Sequence, residues 1–138
     1  MIAKDIVRFV NNNPTAFVAT VERGKPRVRA MLVFSCDTTE IIFVAGKGKG
    51  MCAELENDPR LEVCFYDHNE TKTLRIEAAA EFFVDRELSR RIVEKWPLSE
   101  MYADGPENTA FVTFRIRHGK AEFWSLYDAA KDAPRIEF

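Results

Sequence analysis

The apolar positions of this chain change period from one segment to the next, and the changes mark its elements. In residues 2–11, Ile2, Ile6, Val7, Phe9 and Val10 fall on roughly one side of a helix. Asn11, Asn12, Asn13 and Pro14 end it, because proline disfavours the helical state of its predecessor. Residues 15–22, TAFVATVE, are rich in β-formers, RGKP at 23–26 is a turn, and 27–35 predict a second strand, so these two strands form a hairpin. TEIIFVA at 39–45 is a short apolar run without alternation, the pattern of a strand buried on both faces. Met51, Cys52 and Leu55 then have helical spacing, up to the stop signal Asn57-Asp58-Pro59.

LEVCFY at 61–66 alternates as a strand does, and DHNETK at 67–72 is a polar turn. TLRIEAAAEFFV at 73–84 predicts one long strand. Leu74, Ile76, Ala78, Ala80, Phe82 and Val84 face one way, and Thr73, Arg75, Glu77 and Glu81 the other. Its alanines point to a close approach by another element. Asp85 caps a helix over 86–96 with Leu88, Ile92, Val93 and Trp96 as its stripe. Strands over about 109–117 and 120–126, joined by His118-Gly119, read as a final hairpin, and residues 127–138 show no period. Seven short strands with a few flanking helices predict a single mainly-β domain over 1–138, an antiparallel barrel or sandwich. The chain does not alternate strand and helix, which argues against a Rossmann sheet.

Composition narrows the function classes. A length of 138 residues suits one core, and a net charge of -2 gives no global attraction to nucleic acid or an acidic membrane surface. No apolar stretch approaches a membrane span, and the early charges of the N-terminus argue against a secretory signal. Cys36, Cys52 and Cys64 form no C-x-x-C pair, so reduced thiols in a cytoplasm are expected and a zinc site is not. His68 and His118 both lie in turns, away from any nucleophile or metal partner, so no triad and no metal site is expected. Cys52 stands near a helix start, where it reads either as a low-pKa thiol or, more plainly, as a buried apolar contact. Asp37 and Glu40 read as turn solvation.

Two basic clusters remain. VAGKGKGMCAEL at 44–55 runs from a strand through a glycine–lysine loop into a helix. It has neither the glycine spacing of a dinucleotide fingerprint nor the Gly-Lys-Ser/Thr of a P-loop. Unpaired N–H groups at the helix start, with Lys47 and Lys49, would suit a phosphate, although a solvated turn has the same composition. In PRVRAMLVF at 26–34, Arg27, Arg29, Met31 and Val33 share one face. Two arginines roughly 7 Å apart repel unless an anion or carboxylates, such as Glu22 or Glu40, lie between them. Pairing of 27–35 with 39–45 would bring both clusters to one end of the barrel.

At this point the chain resembles the pyridoxamine 5'-phosphate oxidase-like, FMN-binding split-barrel family. More narrowly it is similar to the nitroimidazole-resistance (nitroimidazole reductase-like) branch. The matching pieces, in order, are FVAT at 17–20, G-x-P-R-V-R at 24–29, IIFVAGKGKGMCAELENDPRLEVCFYD at 41–67, TLRIEAAAEFFVDRE at 73–87, then EMYADGPEN and GKAEFWSL. The resemblance implies an antiparallel split β-barrel, a homodimer, and FMN in clefts at its interface. It implies Arg29 near the FMN phosphate and Arg29, Ala30, Met31 and Leu32 along the flavin; Arg27, which shares the Arg29 face by strand alternation, joins the cofactor-binding candidates. Val44 and Ala45 would edge the ring or ribityl chain, Lys47, Lys49, Gly50 and Met51 would form the phosphate end, and Thr73 would lie near the ring. The family's Ser-Arg-Lys or Thr-x-Lys in that loop reads Lys49-Gly50-Met51 here, and Phe34 stands where a lysine is expected, so vitamin B6 oxidation is not implied. Trp96, Trp124, Met101 and Tyr102 read as core or interface residues that could instead touch a flavin.

The activity this implies is an FMN-dependent oxidoreductase acting on a small electron-poor molecule, with no catalytic acid or base singled out. The alternatives are a binding protein for a flavin or another cofactor (haem, a deazaflavin) and a stress-related dimeric module without flavin.

Overall fold

The structure, a computed structural model, describes residues 1–48, 50–96, 111–128 and 134–138. Helix α1 (Lys4–Asn12) leads into β1 (Thr15–Glu22), β2 (Lys25–Cys36) and β3 (Ile41–Gly46). Helix α2 (Gly50–Asn57) precedes β4 (Arg60–Asp67), β5 (Lys72–Ala79) and β6 (Glu81–Phe83). Helix α3 (Arg86–Lys95), β7 (Phe111–Ile116), β8 (Gly119–Ser125), a 3-10 turn (Leu126–Asp128) and β9 (Arg135–Glu137) complete the described elements. The strands form one antiparallel sheet in the order β6-β7-β3-β2-β1-β4-β5-β8-β9, curled into a half-barrel.

Local chemistry accounts for the turns and caps. β1 and β2 pair through to Glu22 and Lys25. The two residues between them, Arg23 and Gly24, both have positive φ (50° and 77°), as a type I′ hairpin turn requires. Asp85 accepts the Leu88 N–H at 2.8 Å and starts α3.

β3 is buried on both faces because two clusters meet across it. On one side Ile41, Phe43 and Ala45 join the main core with α1 (Ile6, Val10), Phe65, Leu74 and Phe114. Phe43 stacks on Phe114 with ring centroids 5.0 Å apart. On the other side Ile42 packs with Phe34, Leu88, Ile92 and Phe111, which seats α3. Each such fully buried large side chain contributes about 1.5–3 kcal/mol.

Three expectations need correction. The alternation over 73–84 does not make one strand: β5 ends at Ala79, Ala80 donates its N–H to Pro59 O at 2.8 Å, and β6 pairs with β7 instead. Phe82 and Val84 are exposed as a result. Nor do β7 and β8 form a hairpin. β7 lies between β3 and β6, and β8 between β5 and β9. Six places separate them in the sheet, about 29 Å if it were flat. Yet only Arg117 and His118 join them, a reach of about 11 Å. The sheet therefore has to curl until its distant strands approach each other. Finally, the described residues hold nine strands rather than seven, the tail adding β9. No described helix is long and apolar enough to cross a membrane.

Candidate functional site

The sheet splits within β2. Its residues Lys25 to Leu32 pair with β1, whereas its pairing with β3 begins only at Val33 and continues at Ser35 and Cys36, with an irregularity between Val33 and Ser35. Beyond Phe43, β3 stays with β7 through Gly46. Arg29–Leu32 on β2 and Val44–Ala45 on β3 thus stand on the two lips of one opening. Among Arg29 to Leu32, Arg29 and Met31 face inward and are half-buried, while Ala30 and Leu32 face outward and are exposed.

Gly50, the first residue of α2, lies at the Arg29 side chain: a Cβ there would be 3.8 Å from Arg29 Nη2 and equally 3.8 Å from Glu54 Oε1. The glycine end of the loop thus reaches Arg29. Between them, however, stands a carboxylate. Arg29 Nη1 donates to Glu54 Oε2 at 2.8 Å and Nη2 to Oε1 at 2.9 Å. The Thr20 hydroxyl donates to Glu54 Oε2 at 2.7 Å and accepts from Arg29 Nη1 at 3.2 Å. Glu54 is only 6 % exposed and Thr20 is buried. The hydrogen bonds from Arg29 hold the Glu54 carboxyl below the usual carboxylate range, against the opposing effect of burial. The same carboxylate raises the already high pKa of Arg29. Arg27 is matched by Glu22, with Nε 2.7 Å from Oε2. Both arginines of the β2 face therefore carry an internal carboxylate.

The sequence reasoning missed Glu54, although a signal exists. At helical spacing it falls on the same face as Met51 and Leu55, an acid within an apolar stripe.

The other candidates divide. Lys47 is exposed and, with Glu56, Phe82, Arg86 and Phe111, lines a cavity of about 550 Å³. Met51 points into the core, and Ala45 is buried with it. Lys49, Met101 and Tyr102 lie outside the described residues. Thr73 is on β5, three strands from β2, opposite the exposed Trp124 of β8. Trp96 packs edge-on against Phe34 at 5.2 Å in the second cluster. Cys52 is buried, its Sγ 3.4 Å from Gly46 O, and burial raises its pKa, so the apolar-contact reading holds and the reactive-thiol reading does not. Burial likewise pushes the Cys36 thiol up to about 12. Glu40 is not merely turn solvation: it pairs with Arg115 at 3.1 Å, while Asp37 accepts the N–H groups of Thr39 and Glu40.

A family model described as pyridoxamine 5'-phosphate oxidase matches residues 2–125. This chain belongs to that family. No curated protein matches the sequence. Among solved structures it is similar to a NimC/NimA family protein from Clostridium acetobutylicum, with a TM-score of 0.78 at 19% identity over 98% of this chain and 92% of that one. It is similar to general stress protein 26 from Bacillus anthracis, with a TM-score of 0.73 at 17% identity over 98% and 97%. It is also similar to a pyridoxamine 5'-phosphate oxidase-related, FMN-binding protein from Nostoc punctiforme, with a TM-score of 0.70 at 13% identity over 100% and 98%. These likenesses establish the split-barrel fold.

Measured against the flavin that the pyridoxamine 5'-phosphate oxidase family implies, the two ends of the opening differ. The ring end fits. Ala30 and Leu32 are exposed and apolar, and every second residue of that stretch turns its backbone N–H and C=O toward the split. The phosphate end does not fit: Arg29 is already bound to an anion, and the buried Met51 offers no charge.

Proposed function

We propose that this chain is a flavin-dependent oxidoreductase that works as a cytoplasmic homodimer and acts on a small, flat, electron-poor molecule such as a nitroaromatic. FMN is the flavin that the family resemblance implies, with its ring along Arg29–Leu32 and edged by Val44 and Ala45. The observation that carries the reading is the bare apolar face beside the split. Phe17 (44 % exposed), Val28 (68 %) and Leu32 (47 %) stand on it, with Ala30 between them in register. The same outer face continues across β4 and β8 to Tyr66 and Trp124. A second copy laid on this face would cover it. It would also supply the side carrying Thr73 and Trp124, which one chain holds three and four strands away from its own β2.

A bound flavin supplies hydride or electron transfer itself, so the protein's part is to bind and orient the ring and to exclude water. That division of labour agrees with a site that has no catalytic acid–base pair singled out. The FMN-binding relative supports the flavin, and the substrate class rests on the resemblance to the nitroimidazole-resistance branch. One observation favours a second reading, a dimeric stress-type module without flavin: the Glu54 carboxylate already fills the Arg29 fork.

Titration of the purified protein with flavin, followed by flavin fluorescence, separates the two. Saturable binding, with oxidation of a nicotinamide reductant when a nitroaromatic acceptor is added, is the expected result. Binding without turnover would leave a storage protein, and no binding of any flavin would remove the enzyme reading.

A further inference from the structure

Resting on the flavin reading above, we infer that Glu54 occupies the anion position that a flavin phosphate would otherwise take, so that this chain holds flavin by its ring and does not recognise its phosphate. A carboxylate and a phosphate offer a guanidinium the same two-oxygen face. Here that face is supplied from within, by both oxygens of Glu54 on the two η nitrogens of Arg29 at 2.8 and 2.9 Å.

The carboxylate is not a surface group that a ligand could brush aside. It stands on the inner face of α2 between the buried Met51 and Leu55, and Thr20 closes the arrangement by donating to Oε2. An anion arriving at Gly50 is as near to Glu54 Oε1 as to Arg29 Nη2. It would meet repulsion together with attraction. Among the described residues, Arg27 gives no spare charge, since Glu22 holds it, Met51 offers none, and Lys47 lines the cavity that also holds Glu56 and Arg86.

The test compares riboflavin with FMN, which differ only in the phosphate. Both are titrated into the flavin-free full-length protein at low salt and followed by fluorescence quenching. Wild type is expected to bind the two within about threefold of each other, because the Arg29 fork, already filled by Glu54, adds no charge-assisted contact to the phosphate. Glu54→Gln keeps the shape and the Thr20 contact but frees the arginine's charge. It is expected to tighten FMN about tenfold, the effect of one charge-assisted hydrogen bond, and to leave riboflavin unchanged.

Wild-type protein that binds FMN tenfold or more tightly than riboflavin overturns the inference and leaves the flavin reading intact. That comparison needs no variant, so it decides even if Glu54→Gln fails to fold. Should wild type bind neither flavin, the inference falls together with the flavin reading, whatever Glu54→Gln does.

Discussion

Both η nitrogens of Arg29 are held by the two oxygens of Glu54, a bidentate pair that ties β2 to α2 across 25 residues of chain. The partners are unequally buried: the Arg29 side chain is 34 % exposed, that of Glu54 5 %. Losing one is therefore not equivalent to losing the other. Arg29→Gln strands a charge in the interior and is expected to lower stability by about 3 kcal/mol. Glu54→Gln leaves an arginine that water can reach, and about 1 kcal/mol is expected. Urea denaturation at pH 7 measures both. Equal losses would contradict the buried carboxylate.

The same pair makes stability depend on acidity in a stated direction. The pKa of Glu54 is lowered from 4.5 in the folded chain, first by the hydrogen bonds from Arg29. At neutral pH the carboxyl is ionised whether folded or not, and its full contribution is present. As pH falls below 4.5, the unfolded chain takes up the proton first, and the contribution is lost through the depressed folded value. The stability gap between wild type and Glu54→Gln should thus narrow as pH falls below 4.5. Asp58 and Glu81 are also lowered but are common to both proteins, so the difference isolates Glu54. A gap that stays constant over this range would count against the shift.

Gly119 begins β8 opposite Ala78 of β5. A Cβ there would lie 2.7 Å from the backbone oxygen of Glu77, which cannot rotate away. Gly119→Ala should destabilise by about 1–3 kcal/mol. A thermal melt would show the loss, and an unchanged midpoint would mean that β8 sits further from β5 than the structure has it.

Phe17 is exposed on β1, opposite Ala30 of β2, in the middle of the bare face. Phe17→Glu removes no core contact, so the folded monomer should keep its stability within about 0.5 kcal/mol. If a second copy covers this face, the same change should turn dimer into monomer in sedimentation and weaken flavin binding in parallel. A variant that remains dimeric would place the interface elsewhere.

Much of this fold is legible in the sequence where a local rule decides. The bounds of β1 and the Asp85 cap of α3 follow from composition and end signals, and the unalternating run of β3 follows from burial on both faces. What resists reading is the choice of partner. Alternation continues across Ala80 although the chain leaves one part of the sheet for another, because a strand that changes neighbours keeps its period. His118-Gly119 has the composition of a hairpin turn, and only the whole sheet reveals that it joins distant strands. β9, at three residues, is too short to carry a period. In the site, Arg29 and the loop residues are recognisable by charge and glycine content. The group that matches Arg29 is not: a buried ion pair depends on which helix face meets which strand.

The link of Arg117 and His118 has one further consequence, for cooperativity. On one side of it β7 carries Phe111 and Phe114 into the clusters around β3 and α3. On the other, β8 carries Ala121 into the main core beside β5. With only two residues between them, neither strand can come away far without dragging on the other, so the two ends of the sheet are tethered mechanically as well as through the core. Lengthening the link with flexible residues would remove no hydrogen bond of the sheet, yet it would slacken the tether. The ends of the sheet could then melt in succession, with Trp96 reporting on one and Trp124 on the other.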